Sequence, residues 1–227
     1  MLALLVILAL AVIFGPQLWA RHALQHHNGE RADLPGTGAE LARHLLSSAR
    51  LDGYAVEQAA PGTGDHFDPE RRAVVLSEAH HDRRSLTAVV VAAHEVGHAI
   101  QHYIGYRPLQ LRQRLVRFAA MAERLASIVL LAIPFITLVT RSPGAGAALL
   151  FAAIAVMAIP IVVHLITLPV EFDASFRRAL PILELGYLER SDLPPARRIL
   201  AACAMTYVAS ALASLLNFAR WIRFLRR

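Results

Sequence analysis

The sequence predicts a membrane protein, mainly α-helical, with three to four transmembrane helices and a small α+β lobe. Three observations lead there. Hydrophobic residues make up 56% of the 227 positions, with a mean hydropathy of +0.46, more apolar than a soluble domain requires. The apolar residues gather in long uncharged runs at residues 1–20, 125–140, 142–170 and 199–219, and about 20 such residues cross the hydrocarbon core as a helix. Between the first and second runs, residues 21–118 carry most of the polar groups and the turn signals of a folded lobe.

The charge pattern excludes some functions. The formal net charge of +6 is carried entirely by arginine, with no lysine in the chain. These arginines sit at the ends of apolar runs instead of clustering with aromatics on one face, so they mark membrane flanks and not a nucleic-acid surface. The single cysteine, Cys203, lies inside an apolar run; it forms no internal disulfide and rules out a cysteine-based metal site.

Residues 1–20 are expected to be an uncleaved transmembrane anchor. No positive charge precedes Leu2, and Leu18-Trp19-Ala20 lacks the small-x-small end of a cleaved signal peptide. His22, His26 and His27 follow as a solvated linker. Thr37-Gly38-Ala39-Glu40 has the form of a capping box, opening a helix that runs to about Ala49 and stops at Asp52-Gly53. Residues 54–58 and 73–76 read as strands, with a turn at residues 61–64 between them. Ser85 can cap a helix over residues 86–104, and Gly105 with Pro108 stops it.

That helix contains His94-Glu95-Val96-Gly97-His98, the one stretch whose residue types and spacing specify a reaction. Four residues apart on a helix, His94 and His98 share a face and can reach one metal ion. Glu95 projects beside them, placed to activate water and not to ligate. The flanks, Val89 to Ala93 and Ala99-Ile100, are uncharged, as a helix needs if it buries its back while presenting ligands to a cleft. Two histidines leave a third protein ligand to be found.

Residues 125–140 and 142–170 are linked by the short Arg141-Ser142-Pro143-Gly144, which predicts a transmembrane hairpin over residues 119–170. Two crossings return the chain to the side of the motif helix, so that residues 171–198 can complete the site. Among the downstream carboxylates Glu171 is the best placed: it follows Pro169, where a helix can restart facing the motif helix. The alternative is that Glu171 and Asp173 only mark a membrane boundary. Asp173 can also orient a ligand histidine through its other ring nitrogen. Residues 199–219 carry Thr206, Ser210, Ser214 and Asn217 and either span or lie in the interface, ahead of an arginine-rich tail at residues 220–227. Arginines crowd both feet of the hairpin, whereas Arg141 stands alone at its tip, which predicts a multi-pass inner-membrane protein with its site in the cytoplasm. A spanning last helix would export the tail against that tendency.

The chain resembles the YugP-like membrane zinc metallopeptidases of bacteria. The matching stretches are Asp65-His66-Phe67-Asp68-Pro69, Val74-Val75-Leu76-Ser77, residues 92–101 around the His94 motif, and residues 168–175 around Glu171. The resemblance implies Zn2+ at His94, His98 and Glu171, Glu95 as catalytic base, and a zincin-like lobe whose Val74, Leu76 and Ser77 line the substrate cleft. Phe67 stands where a tyrosine is expected.

The function expected is a zinc-dependent endopeptidase acting on a peptide or protein substrate, associated with the lipid bilayer and with no nucleic acid. An extended peptide could add to the residue 74–77 strand. For the oxyanion donor the candidates are His102, Tyr103, His66, Tyr187 and Arg178. His102 continues the histidine series one turn beyond the metal, and His164, inside the returning run, reads as an inter-helix hydrogen-bonding residue. The rival is a non-catalytic membrane scaffold with a structural metal site, which would have no need of Glu95. A metal transporter would want ionisable groups within its spans, and apart from His164 these have none.

Overall fold

The computed structural model describes residues 2–157 and 159–225. Met1, Arg226 and Arg227, the ends of the expected anchor and tail, lie outside the described residues. Helix α1 (Leu2–His26) leads into a lobe of α2 (Gly38–Ser48), three strands and α3 (Leu86–Tyr103). The capping box is formed: Thr37 Oγ1 accepts the Glu40 amide proton at 3.3 Å, and Glu40 Oε2 accepts that of Thr37 at 2.8 Å. Ser85 Oγ accepts the Ala88 amide proton at 3.1 Å and starts α3.

Strands β1 (Ala55–Gln58), β2 (His66–Asp68) and β3 (Ala73–Leu76) form one sheet in the order β1-β3-β2. β3 pairs parallel with β1, Ala55 opposite Ala73, and antiparallel with β2, His66 opposite Val75. It is therefore the central strand, and all four of its residues are buried. The core forms where Val74 and Leu76 meet Leu41, Leu45 and Leu46 of α2 and Val89, Val90 and Val96 of α3.

Beyond the lobe, α4 (Arg107–Thr140), α5 (Pro143–Met157) and α6 (Ile159–Phe172) follow. The chain stays helical past α6 through a π-helical segment (Asp173–Ala179), the short α7 (Leu180–Ile182) and a second π-helical segment (Leu183–Tyr187). Helix α8 (Leu193–Leu225) closes the chain. Its Ala202 packs on Ala20 and Ala23 of α1, and its Ile199 and Leu200 enter the lobe's core.

The expectation of three to four transmembrane helices is overturned. Among the described residues one helical stretch, Ile159–Tyr187, is long and apolar enough to cross a membrane. Hydropathy alone did not see where the helices begin and end. α4 carries Arg112, Arg114, Arg117 and Arg124 ahead of Leu125, leaving only Leu131–Thr140 as a short apolar helix. α5 has 15 residues, short of the ~20 a span takes. In α8 the run at residues 199–219 is one part of a 33-residue helix whose alanines at 202, 204, 209 and 211 are buried against the protein.

Candidate metal centre

The site forms where α3 meets the junction of α6 and the first π-helical segment. Gly97 permits the contact: a Cβ there would stand 2.8 Å from the Ala174 carbonyl oxygen, so only glycine lets the backbones approach this closely. One turn of α3 carries His94 and His98, with ring centroids 4.7 Å apart and planes at 79°. Across the contact, Glu171 is 0% exposed and places Oε2 at 3.2 Å from His94 Nε2 and 3.4 Å from His98 Nε2. The three residues offer ligand atoms that all lie within 4.8 Å of one another.

Hydrogen bonds assign the imidazole tautomers. Ser175 Oγ donates to the Leu200 carbonyl at 3.3 Å, so at 3.0 Å from His94 Nδ1 it accepts the ring's N–H. His98 Nδ1 donates to Gln101 Oε1 at 3.0 Å. The Gln101 amide is itself oriented, because its nitrogen donates to the Val170 carbonyl and to Asp173 Oδ2, both at 2.8 Å. Both Nδ1 atoms carry the proton, so both Nε2 lone pairs point at Glu171.

Neither carboxylate oxygen of Glu171 accepts a hydrogen bond among the described residues. Arg112 Nη1 approaches Oε1 only to 3.4 Å. The Arg112 guanidinium serves Oε1 alone; Oε2 faces the two imidazoles with no hydrogen-bond donor among the described residues, and two neutral imidazoles plus one carboxylate are the donor set zinc takes in hydrolytic sites. Burial pushes the His98 pKa down, but the Glu171 charge outweighs this and the net shift is upward, so a proton competes with a metal ion for its Nε2. Glu95, 7% exposed, is moved upward by burial against the opposing pull of both histidines. It lines a cleft of about 260 Å³ with His98, Asp65, Phe67, Arg112 and Tyr207.

This geometry has counterparts. Residues 2–226 match the model of a family described as "Putative neutral zinc metallopeptidase". The chain belongs to this family. It is also 35% identical, over 218 residues, to the "Putative membrane protease YugP" of Bacillus subtilis (strain 168), covering 96% of this chain and 93% of that protein. No solved structure matches.

In this member of the zinc metallopeptidase family the other expected residues fall in several places. Asp173 meets His98 only through Gln101, and its Oδ2 also accepts the Arg178 Nε proton at 2.6 Å. Val74 and Leu76 are fully buried, and β3 has a partner on each side. They do not form a cleft edge, and the strand that borders the cleft is β2, through His66 and Phe67. Ser77 supports the cleft from behind: its amide and hydroxyl donate to Asp65 Oδ1 at 2.7 and 2.9 Å, while His80 Nδ1 lies 2.7 Å from Oδ2. His102 turns away to the Tyr54 hydroxyl at 2.7 Å, Tyr103 is exposed, and Tyr187 lines a separate depression with His44. His164 is half-buried on α6.

Gln101, Ser175, Arg112 and Tyr207 are residues of the candidate site to which the sequence assigns no role. Gln101 had a signal, standing three residues after His98 on the same helix face. Ser175 stood inside the matched stretch without a role, and the other two reach the cleft only through tertiary packing.

Proposed function

We propose that the protein is a zinc-dependent endopeptidase attached to a bilayer, with zinc held by His94, His98 and Glu171. The single observation that carries this is Glu171 Oε2, a buried carboxylate oxygen that has no hydrogen-bond donor and faces two imidazole Nε2 lone pairs. Zinc in such a site supplies Lewis acidity toward water and the scissile carbonyl. The chain supplies the rest. Glu95, its pKa raised by burial, takes a proton from the attacking water and returns it to the leaving amine nitrogen. β2 has one edge unpaired among the described residues and borders the cleft, so an extended peptide can add there through backbone hydrogen bonds. Three protein ligands and an adjoining cleft favour catalysis over a structural metal site, which takes four protein ligands and is closed.

Bilayer attachment rests on the apolar surface of α4 to α6, where Phe118, Leu131, Phe135, Phe151 and Leu165 are exposed. The arginines on the lobe side of that surface favour a cytoplasmic metal centre under the positive-inside tendency. The test is zinc analysis and casein hydrolysis on the detergent-purified full chain. The wild type should hold one zinc and lose activity to a chelator, recovering it with added zinc; Glu171→Ala should retain little zinc. Full zinc occupancy in Glu171→Ala would overturn the ligand set, and chelator-resistant hydrolysis would overturn the zinc chemistry.

A further inference from the structure

We infer that the Tyr207 hydroxyl is the hydrogen-bond donor that stabilises the developing oxyanion, and that Arg112 is the residue that positions it. This rests on the peptidase reading. A peptidase needs such a donor, because the carbonyl oxygen gains charge in the transition state and preorganised donors aimed at it supply a large part of the rate.

The donors expected from sequence are engaged or remote. His102 is held by Tyr54, Arg178 by Asp173, and the His66 ring bonds the Gly64 carbonyl at 2.9 Å. Tyr207 lines the cleft with Glu95 and His98. Arg112 links it to the metal centre. One guanidinium nitrogen, Nη1, lies 3.4 Å from Glu171 Oε1, while the other, Nη2, donates to the Tyr207 hydroxyl at 3.3 Å. The guanidinium carbon also sits 5.4 Å from the Tyr207 ring centroid.

The direction of that hydrogen bond matters. The phenol oxygen accepts from Arg112, so its own O–H must donate elsewhere, and among the described residues no acceptor takes it. Accepting from a cation also polarises the O–H and makes it a stronger donor. The phenol keeps its proton throughout and contributes a hydrogen bond that a ground-state carbonyl uses less than an oxyanion does. The assignment joins α4 and α8 to the chemistry, although no motif in either points to it.

The experiment compares zinc-loaded wild type, Tyr207→Phe and Arg112→Lys for zinc content, peptide kinetics and calorimetric binding of a peptide phosphonate, which mimics the tetrahedral oxyanion. Tyr207→Phe should keep full zinc and a KM within about threefold of wild type. Its kcat and its phosphonate affinity should both fall by about 10²- to 10³-fold. Arg112→Lys keeps the phenol but loses the forked bridge, and should weaken phosphonate binding about tenfold with zinc retained. Wild-type phosphonate affinity in either variant overturns the assignment. If the wild type cleaves peptides while Tyr207→Phe does so equally fast, only this assignment fails. If zinc-loaded wild type neither cleaves peptides nor binds the phosphonate, the peptidase reading fails and takes this assignment with it.

Discussion

Ser175 Oγ accepts a hydrogen bond from His94 Nδ1 at 3.0 Å, joining residues 81 positions apart in the chain. The contact ties the motif helix to the segment that delivers Glu171. It also fixes which imidazole nitrogen faces Glu171. Groups of this kind are worth about 10- to 100-fold in metal affinity. Ser175→Ala should therefore weaken zinc binding by about that factor in a chelator competition, with the far-ultraviolet circular dichroism unchanged. Unchanged zinc affinity would show that His94 needs no such partner.

Gln101 and Asp173 act in series on the second histidine. Gln101 orients His98 from Oε1, and Asp173 anchors the same amide from its nitrogen. Residues in one network couple by about 0.5–3 kcal/mol. The zinc-affinity losses of Gln101→Ala and Asp173→Asn should be clearly less than additive in the double variant. Additive losses would mean that Asp173 serves Arg178 alone.

Gly97→Ala sets two effects against each other. Alanine improves helix propensity by about 1 kcal/mol. Its Cβ, however, would lie 2.8 Å from a backbone carbonyl that cannot rotate away. Overpacking of this kind costs about 1–3 kcal/mol, so separation of α3 from the π-helical segment should win. Chemical denaturation should show a net loss of up to about 2 kcal/mol, accompanied by weaker zinc binding, because Glu171 moves with that segment. A stabilised variant with normal zinc affinity would place the close contact elsewhere.

These contacts show what could be read in advance. His94, Glu95 and His98 stood out because a helix converts a four-residue interval into one face. Glu171 stood out because a chain returning beside that helix needs a carboxylate there. The capping box at Thr37 was legible for the same local reason. What was not legible depended on elements meeting. Val74 and Leu76 looked like a strand beside a cleft, but β2 occupies the edge and leaves β3 in the core. The apolar runs looked like three or four spans. Helix lengths and the burial of α8 alanines decide otherwise, because an uncharged run does not reveal whether its neighbour is lipid or another helix.

Asp65 ties stability to pH. Burial pushes its pKa up, but the His80 contact and the Ser77 amide and hydroxyl outweigh this, so the folded value lies below the ordinary 3.8. A depressed carboxylate stabilises the fold above its unfolded pKa, and that contribution is lost as pH falls through the folded one. Wild type should therefore exceed Asp65→Asn in stability by about 1–3 kcal/mol at neutral pH. The gap should close below pH 3.8 in denaturation curves taken across that range. A gap that is independent of pH would mean that the carboxylate charge contributes nothing.

On the proposed mechanism Glu95 does chemistry beside a metal it does not hold. The most direct test measures zinc content and peptide hydrolysis together in wild type and Glu95→Gln. One zinc per chain is expected in both, with a rate lower by about 10²- to 10⁴-fold in the variant. Hydrolysis at the wild-type rate by zinc-loaded Glu95→Gln would contradict that mechanism.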